Sequence, residues 1–99
     1  VLEENVKEIV LRYKEKLQSE FSVVKIYLFG SHARANFSEE SDIDVAVIVD
    51  KDVKYEDEIG AMRLRRSIDL RIEPHVFSKK EFENRDPFIN EIIKTGVLI

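Results

Sequence analysis

A chain of 99 residues with 43% hydrophobic side chains, six Phe and three Tyr has the material for one core, which points to a single domain over residues 1–99. Sixteen Lys and Arg against 20 Asp and Glu leave a net charge of −4, which opposes the broad positive field that bulk binding of DNA or RNA requires. The absence of Cys excludes disulfides, thiol nucleophiles and thiolate zinc sites and makes a reducing cytoplasm the expected setting.

Leu2, Val6, Ile9, Val10, Tyr13 and Leu17 recur at three- and four-residue steps, which predicts a helix over about 2–20 with one buried stripe. Its charged start is unlike a signal peptide. Val23 to Phe29 is β-branched and aromatic and is stopped by Gly30, the pattern of a strand feeding a tight turn. A short helix is expected to begin within Ser31 to Ala35, followed by a polar turn over Phe37 to Ser41. Ile43 to Val49 is nearly continuous in hydrophobicity and predicts a central strand covered on both faces. Its apolar run falls far short of the ~20 residues that cross a bilayer, so no membrane association is expected.

Asp50 to Arg66 is charged, with a weak helical pattern around Tyr55 to Met62. Ile68, Leu70 and Ile72 alternate with Asp69, Arg71 and Glu73, the period of a strand with one polar face, and Pro74 marks its edge or end. Ser78 with Glu81 forms a capping box, and Asp86-Pro87 opens a further helix that Gly96 closes. Val97 to Ile99 is expected to add a terminal strand. The class is α/β or α+β with a small mixed sheet.

Chemistry concentrates at carboxylates on strands. Asp42 and Asp44 leave one face of the second strand with Cα atoms ~6.5–7 Å apart. Their mutual repulsion is relieved by a shared cation, and an all-oxygen donor set favours Mg²⁺ or Mn²⁺. Asp69, on the polar face of a neighbouring strand, would complete a patch for two ions. Upstream, Gly30-Ser31 supplies a backbone that a phosphate can approach, and Arg34 projects from the same side with a guanidinium fork. Together they suggest a nucleoside triphosphate.

Several polar residues have ordinary readings beside functional ones. Arg71 is either an orienting partner of the carboxylates or a cross-strand ion pair. Glu73 and His75 have the character of solvated residues at a strand end, His32 that of an incidental loop residue, and Arg63, Arg65 and Arg66 that of a solvated patch. Phe82, Phe88, Ile89, Ile92 and Ile93 are expected to cover the sheet.

The stretch LFGSHARANFSEESDIDVAVIV closely resembles the G-S-x-A-R-G-x₅-S-D-x-D signature of minimal nucleotidyltransferases, antitoxins of the MNT type in the DNA polymerase beta-like superfamily. SIDLRIEP is similar to the superfamily strand that carries the third carboxylate, with Asp69 in that position. The resemblance implies a palm-like mixed sheet flanked by helices. By the same resemblance, Gly30 and Ser31 contact the triphosphate, Asp42 and Asp44 ligate both metals, and Asp69 completes the metal nearer the attacking oxygen. Ala35 stands where the family has Gly, which bears on the Arg34 role, and Asn36 tolerates unusual backbone angles that can compensate.

The implied reaction is attack of an acceptor hydroxyl on the α-phosphorus of ATP, with pyrophosphate leaving. The implied partner is an all-helical HEPN-domain toxin, modified with AMP on tyrosine, in a toxin–antitoxin pair. Templated polymerisation is not expected, since a domain of this size and acidic balance supplies neither a duplex clamp nor a positive groove. The alternatives are an antitoxin that neutralises its partner by binding alone, and a small-molecule nucleotidyltransferase that encloses its acceptor as a homodimer.

Overall fold

The computed structural model describes residues 4–34 and 40–99. Helix α1 (Glu4–Gln18) leads into β1 (Val23–Phe29) and β2 (Ile43–Val49), followed by α2 (Tyr55–Leu64) and a 3₁₀ turn at Arg65–Ser67. The chain continues through β3 (Ile72–Ser78), α3 (Lys79–Glu83), α4 (Pro87–Thr95) and β4 (Val97–Leu98). The strands form one four-stranded sheet in the order β3-β2-β1-β4. The β1–β2 and β1–β4 pairs are antiparallel, and β2 and β3 are parallel. This is the mixed sheet flanked by helices that the sequence predicts.

The α1 stripe is buried at Val6, Ile9, Val10, Tyr13 and Leu17; Leu2, the first residue of the predicted stripe, lies outside the described residues. These side chains pack with Ala61 and Leu64 of α2 on Ile26, Leu28, Ile43, Val45, Val47 and Ile72. On the other face Ala46 and Ile48 meet Phe82 of α3 and Ile89 and Ile92 of α4. Strand β2 is therefore buried from both sides, which its unbroken apolar run requires.

Caps terminate the helices where expected. The Ser78 hydroxyl accepts the Glu81 N–H at 3.0 Å and the Glu81 carboxylate accepts the Ser78 N–H at 3.0 Å. The Asp86 carboxylate accepts the Ile89 N–H at 2.9 Å, with Pro87 in the first turn. At the other end of α4, a Cβ on Gly96 would collide with the Ile92 carbonyl oxygen and lie 3.0 Å from that of Leu28. Gly96 thus lets β4 dock directly against β1.

Two expectations need correction. The strand predicted around Ile68 to Glu73, with Pro74 as its end, instead begins at Ile72 and runs through Pro74 to Ser78. An imino acid is tolerated there because β3 is an edge strand, whose outer side needs no ladder donor. Leu70, assigned to the apolar face, is 67% exposed in the preceding turn. Ser31 to Arg34 form a turn rather than the start of a helix, with one bond from the Arg34 N–H to the Gly30 carbonyl at 3.2 Å. Ala35, Asn36 and most of the predicted turn over Phe37 to Ser41 lie outside the described residues.

Candidate active site

The end of β1 and the beginnings of β2 and β3 meet at one edge of the sheet. Phe29 pairs with Asp44, and Asp44 with Glu73. Residues paired across adjacent strands share a face, so Asp44 and Glu73 project side by side. That face is the one covered further along by α3 and α4, since Ala46 and Ile48 share the parity of Asp44. Asp42, two residues before Asp44, has the same parity and precedes the strand.

Gly30 closes β1 with φ +77°. A Cβ added there would lie 2.5 Å from Oδ2 of Asp44. Only glycine both accepts the left-handed backbone and leaves this gap beside the carboxylate. Ser31 is half-buried and Arg34 exposed, both in the turn that follows. His32 of the same turn is buried, with Nε2 3.2 Å from the carbonyl oxygen of Ser41. It therefore ties the turn after β1 to the residue preceding Asp42, a positioning contact that loop composition did not reveal.

The environment of Asp44 is half aromatic. His75 Nε2 lies 3.5 Å from Asp44 Oδ1, and its ring meets Phe29 edge-on at 5.2 Å and Phe88 at 6.0 Å. Phe29 and Phe88 are in turn 5.7 Å apart. Phe88, although half-exposed, thus belongs to the floor beneath the carboxylates. Glu73 is drawn the other way, with Oε2 3.8 Å from Arg65 Nη1. Arg65 itself donates to the carbonyls of Leu70 at 3.1 Å and Ile72 at 2.9 Å along the outer edge of β3.

Asp69 does not occupy the polar face of a strand. It lies in the turn before β3 and forms a clasp with Arg71. Its Oδ1 accepts the Arg71 backbone N–H at 2.8 Å and Nε–H at 3.1 Å, and its Oδ2 accepts Nη2–H at 3.0 Å. These side-chain bonds hold the carboxyl below the usual carboxylate range, against the opposing effect of burial. Both oxygens are committed to a guanidinium, and the Asp69 carbonyl accepts the Ile72 N–H at 3.2 Å. The clasp shapes the entry into β3.

The structure therefore brings Gly30, Asp44 and Glu73 together, and sets Asp69 four residues ahead of the position paired with Asp44. Among the described residues no three His, Asp or Glu side chains converge closely enough to hold an ion. In this conformation Glu73 leans towards Arg65 while Asp44 lies beside the His75 ring. The donors themselves are hard carboxylate oxygens on adjacent register positions, and the missing Cβ at Gly30 lets Oδ2 of Asp44 pack against its backbone. Hard oxygen donors of this kind suit Mg²⁺ or Mn²⁺.

The sheet edge and its glycine turn define a nucleotidyltransferase palm. The profile of the family described as Polymerase beta, Nucleotidyltransferase, matches residues 12–99, and the chain belongs to that family.

Its relatives extend the comparison. The chain is 32% identical over 101 residues to "Putative protein adenylyltransferase MJ0141" of Methanocaldococcus jannaschii, covering 98% of this chain and 93% of that protein. A second match, to MJ0604 of the same organism and the same name, is 43% identical over 53 residues and spans 54% of this chain and 51% of that protein. A toxin–antitoxin structure with AMP-PNP aligns with a TM-score of 0.68 at 17% identity, over 92% of this chain and 69% of the other. A complex of tri-AMPylated Shewanella oneidensis HEPN toxin with MNT antitoxin aligns with a TM-score of 0.65 at 16% identity, over 94% and 70%. These two structural likenesses concern the fold.

Proposed function

We propose that this nucleotidyltransferase transfers AMP from ATP to a hydroxyl of a protein partner, an HEPN-domain toxin, and acts as the antitoxin of the pair. The observation that carries the reading is the register pairing of Asp44 with Glu73 beside the Cβ-free gap at Gly30. Support for the acceptor comes from the relatives named "Putative protein adenylyltransferase" and from the HEPN complex among the structures of like fold.

In this reading Asp42, Asp44 and Glu73 hold two Mg²⁺ or Mn²⁺ ions, and Glu73 takes the place that the sequence motif assigned to Asp69. When bound, the ions neutralise charge on the entering and departing oxygens of the α-phosphorus. The Gly30-Ser31 turn receives the triphosphate, its bare backbone allowing close approach, and Arg34 supplies a guanidinium to phosphate oxygens. The carboxylate of Glu73 lies on the outer strand, where it is accessible to an incoming hydroxyl and orients it. His75 and Phe29 limit the rotation of Asp44 and exclude water beneath it. No histidine serves as the base.

The test is transfer of label from α-labelled ATP to a purified HEPN partner in the presence of Mg²⁺. Wild type should label the partner, and the Asp42→Asn, Asp44→Asn double variant should lose at least about 100-fold in rate while still folding. If that variant neutralises the partner as well as wild type does, inhibition by binding alone replaces the enzymatic reading.

A further inference from the structure

Helix α2 carries apolar side chains on two sides. Gly60, Ala61 and Leu64 are buried against the sheet and α1. Tyr55, Ile59 and Met62 face outward with 74%, 48% and 36% of their surface exposed. Their spacing of four and three residues makes one stripe rather than scattered exposure. With Glu58, Arg63, Arg65 and Arg66 they line a surface groove of about 420 Å³.

The order of charges along this stripe is self-complementary. Glu58 lies towards its beginning, Arg63 and Arg66 towards its end. An antiparallel two-fold at the level between Gly60 and Ala61 sets Glu58 opposite Arg63 of a second copy and Ile59 opposite Met62. It also sets Tyr55 opposite Arg66, a cation against an aromatic face. Every position in the groove except Arg65 then has a partner of matching chemistry, with Arg63 exchanging its exposed contact to Glu20 of its own chain, at 3.4 Å, for Glu58 of the second copy, which is what an isologous contact demands. Arg65 is already engaged by the carbonyls of Leu70 and Ile72.

We propose that the outer face of α2 is a homodimer contact in which two copies of this chain pack antiparallel about this two-fold. The stripe lies on the α1 side of the sheet, opposite Asp44, and meets the candidate site only through Arg65, whose Nη1 is 3.8 Å from Oε2 of Glu73; the proposed contact does not rest on the proposed reaction. A helix of 10 residues is about 15 Å long, and its face is smaller than the ~800 Å² per partner of a standard interface. The dimer is accordingly concentration-dependent and weakened by salt.

Sedimentation equilibrium of the purified chain, from micromolar to millimolar concentration at low salt, tests it. Wild type should pass from monomer to twice that mass. Glu58→Arg and Arg63→Glu should each weaken the dimer by roughly tenfold or more through like-charge contacts, and the double exchange should restore it. Ile59→Asp should remain monomeric with an unchanged circular dichroism spectrum. A wild type that stays monomeric throughout would overturn the proposal. So would a dimer that survives Ile59→Asp, or single charge variants that the double exchange fails to rescue.

Discussion

Glu73, rather than Asp69, is set beside Asp44 by the parallel register of β2 and β3, whereas Asp69 lies in the turn before β3. Asp69 spends three hydrogen bonds on Arg71, and its depressed folded-state pKa makes that clasp a pH-dependent source of stability. The contribution is complete above the unfolded carboxylate value of ~3.9 and is lost as pH falls through the lower folded value. Thermal melts should therefore find Asp69→Asn less stable than wild type at neutral pH, with the difference shrinking below about pH 4. At Gly30 an added methyl meets Asp44 in a backbone region that costs an L-residue about 1–2 kcal/mol. Gly30→Ala should lower the melting temperature and sharply reduce nucleotide transfer, by displacing Asp44 and narrowing the phosphate approach. Tyr13 is a third case, in which burial pushes the phenol up and keeps it neutral. Its hydroxyl donates to the Ala61 carbonyl at 2.6 Å, so Tyr13→Phe should cost about 1 kcal/mol in denaturant unfolding.

At the scale of elements, legibility followed the strength of the local signal. Strands β1 and β2 coincide with their β-branched runs, and the caps at Ser78 and Asp86 are made by the residues whose chemistry requires them. Ser78→Ala should destabilise the protein by about 1 kcal/mol, measured by urea unfolding. Strand β3 was harder to read, because Ile68, Leu70 and Ile72 imitate a strand period while Ile72 alone belongs to one. Pro74 reinforced the error, since its tolerance depends on β3 being an edge, a tertiary fact absent from local spacing. The four-residue shift centred the sequence reading on Asp69, whereas Glu73 is the acidic position that pairs with Asp44. Counting the parallel register forward from Asp44 locates it, but only once the pairing of β2 with β3 is known. Helix α2 read weakly because its inner contacts are Gly60 and Ala61, while Tyr55, Ile59 and Met62 sit outside and blur the amphipathic pattern. Its beginning is secured instead by Asp57, whose carboxylate accepts the Lys54 N–H at 2.8 Å and a bond from Lys51 Nζ at 3.0 Å.

Across the whole molecule, two helical layers on opposite faces hold a sheet whose candidate site residues project from one edge. The buried β2 has no freedom to slip, because a one-residue shift would send Asp44 into the α1 side and Val45 out of it. That constraint is why the G-S and D-x-D segments, though ten residues apart in sequence, are set at a fixed distance by strand pairing. A hollow of about 700 Å³ lined by Asp52, Ser78 and Glu81 among others lies at the other end of the sheet, away from the glycine turn. Position in the fold, rather than concavity, marks the candidate site.

Titration with Mn²⁺ followed by electron paramagnetic resonance, on wild type, Glu73→Gln and Asp69→Asn at neutral pH with a non-hydrolysable ATP analogue, bears most directly on that edge. Wild type and Asp69→Asn should bind the ion alike, and Glu73→Gln should bind it at least about tenfold more weakly. Loss of binding in Asp69→Asn with full binding in Glu73→Gln would contradict the pairing of Glu73 with Asp44 as the metal-holding edge.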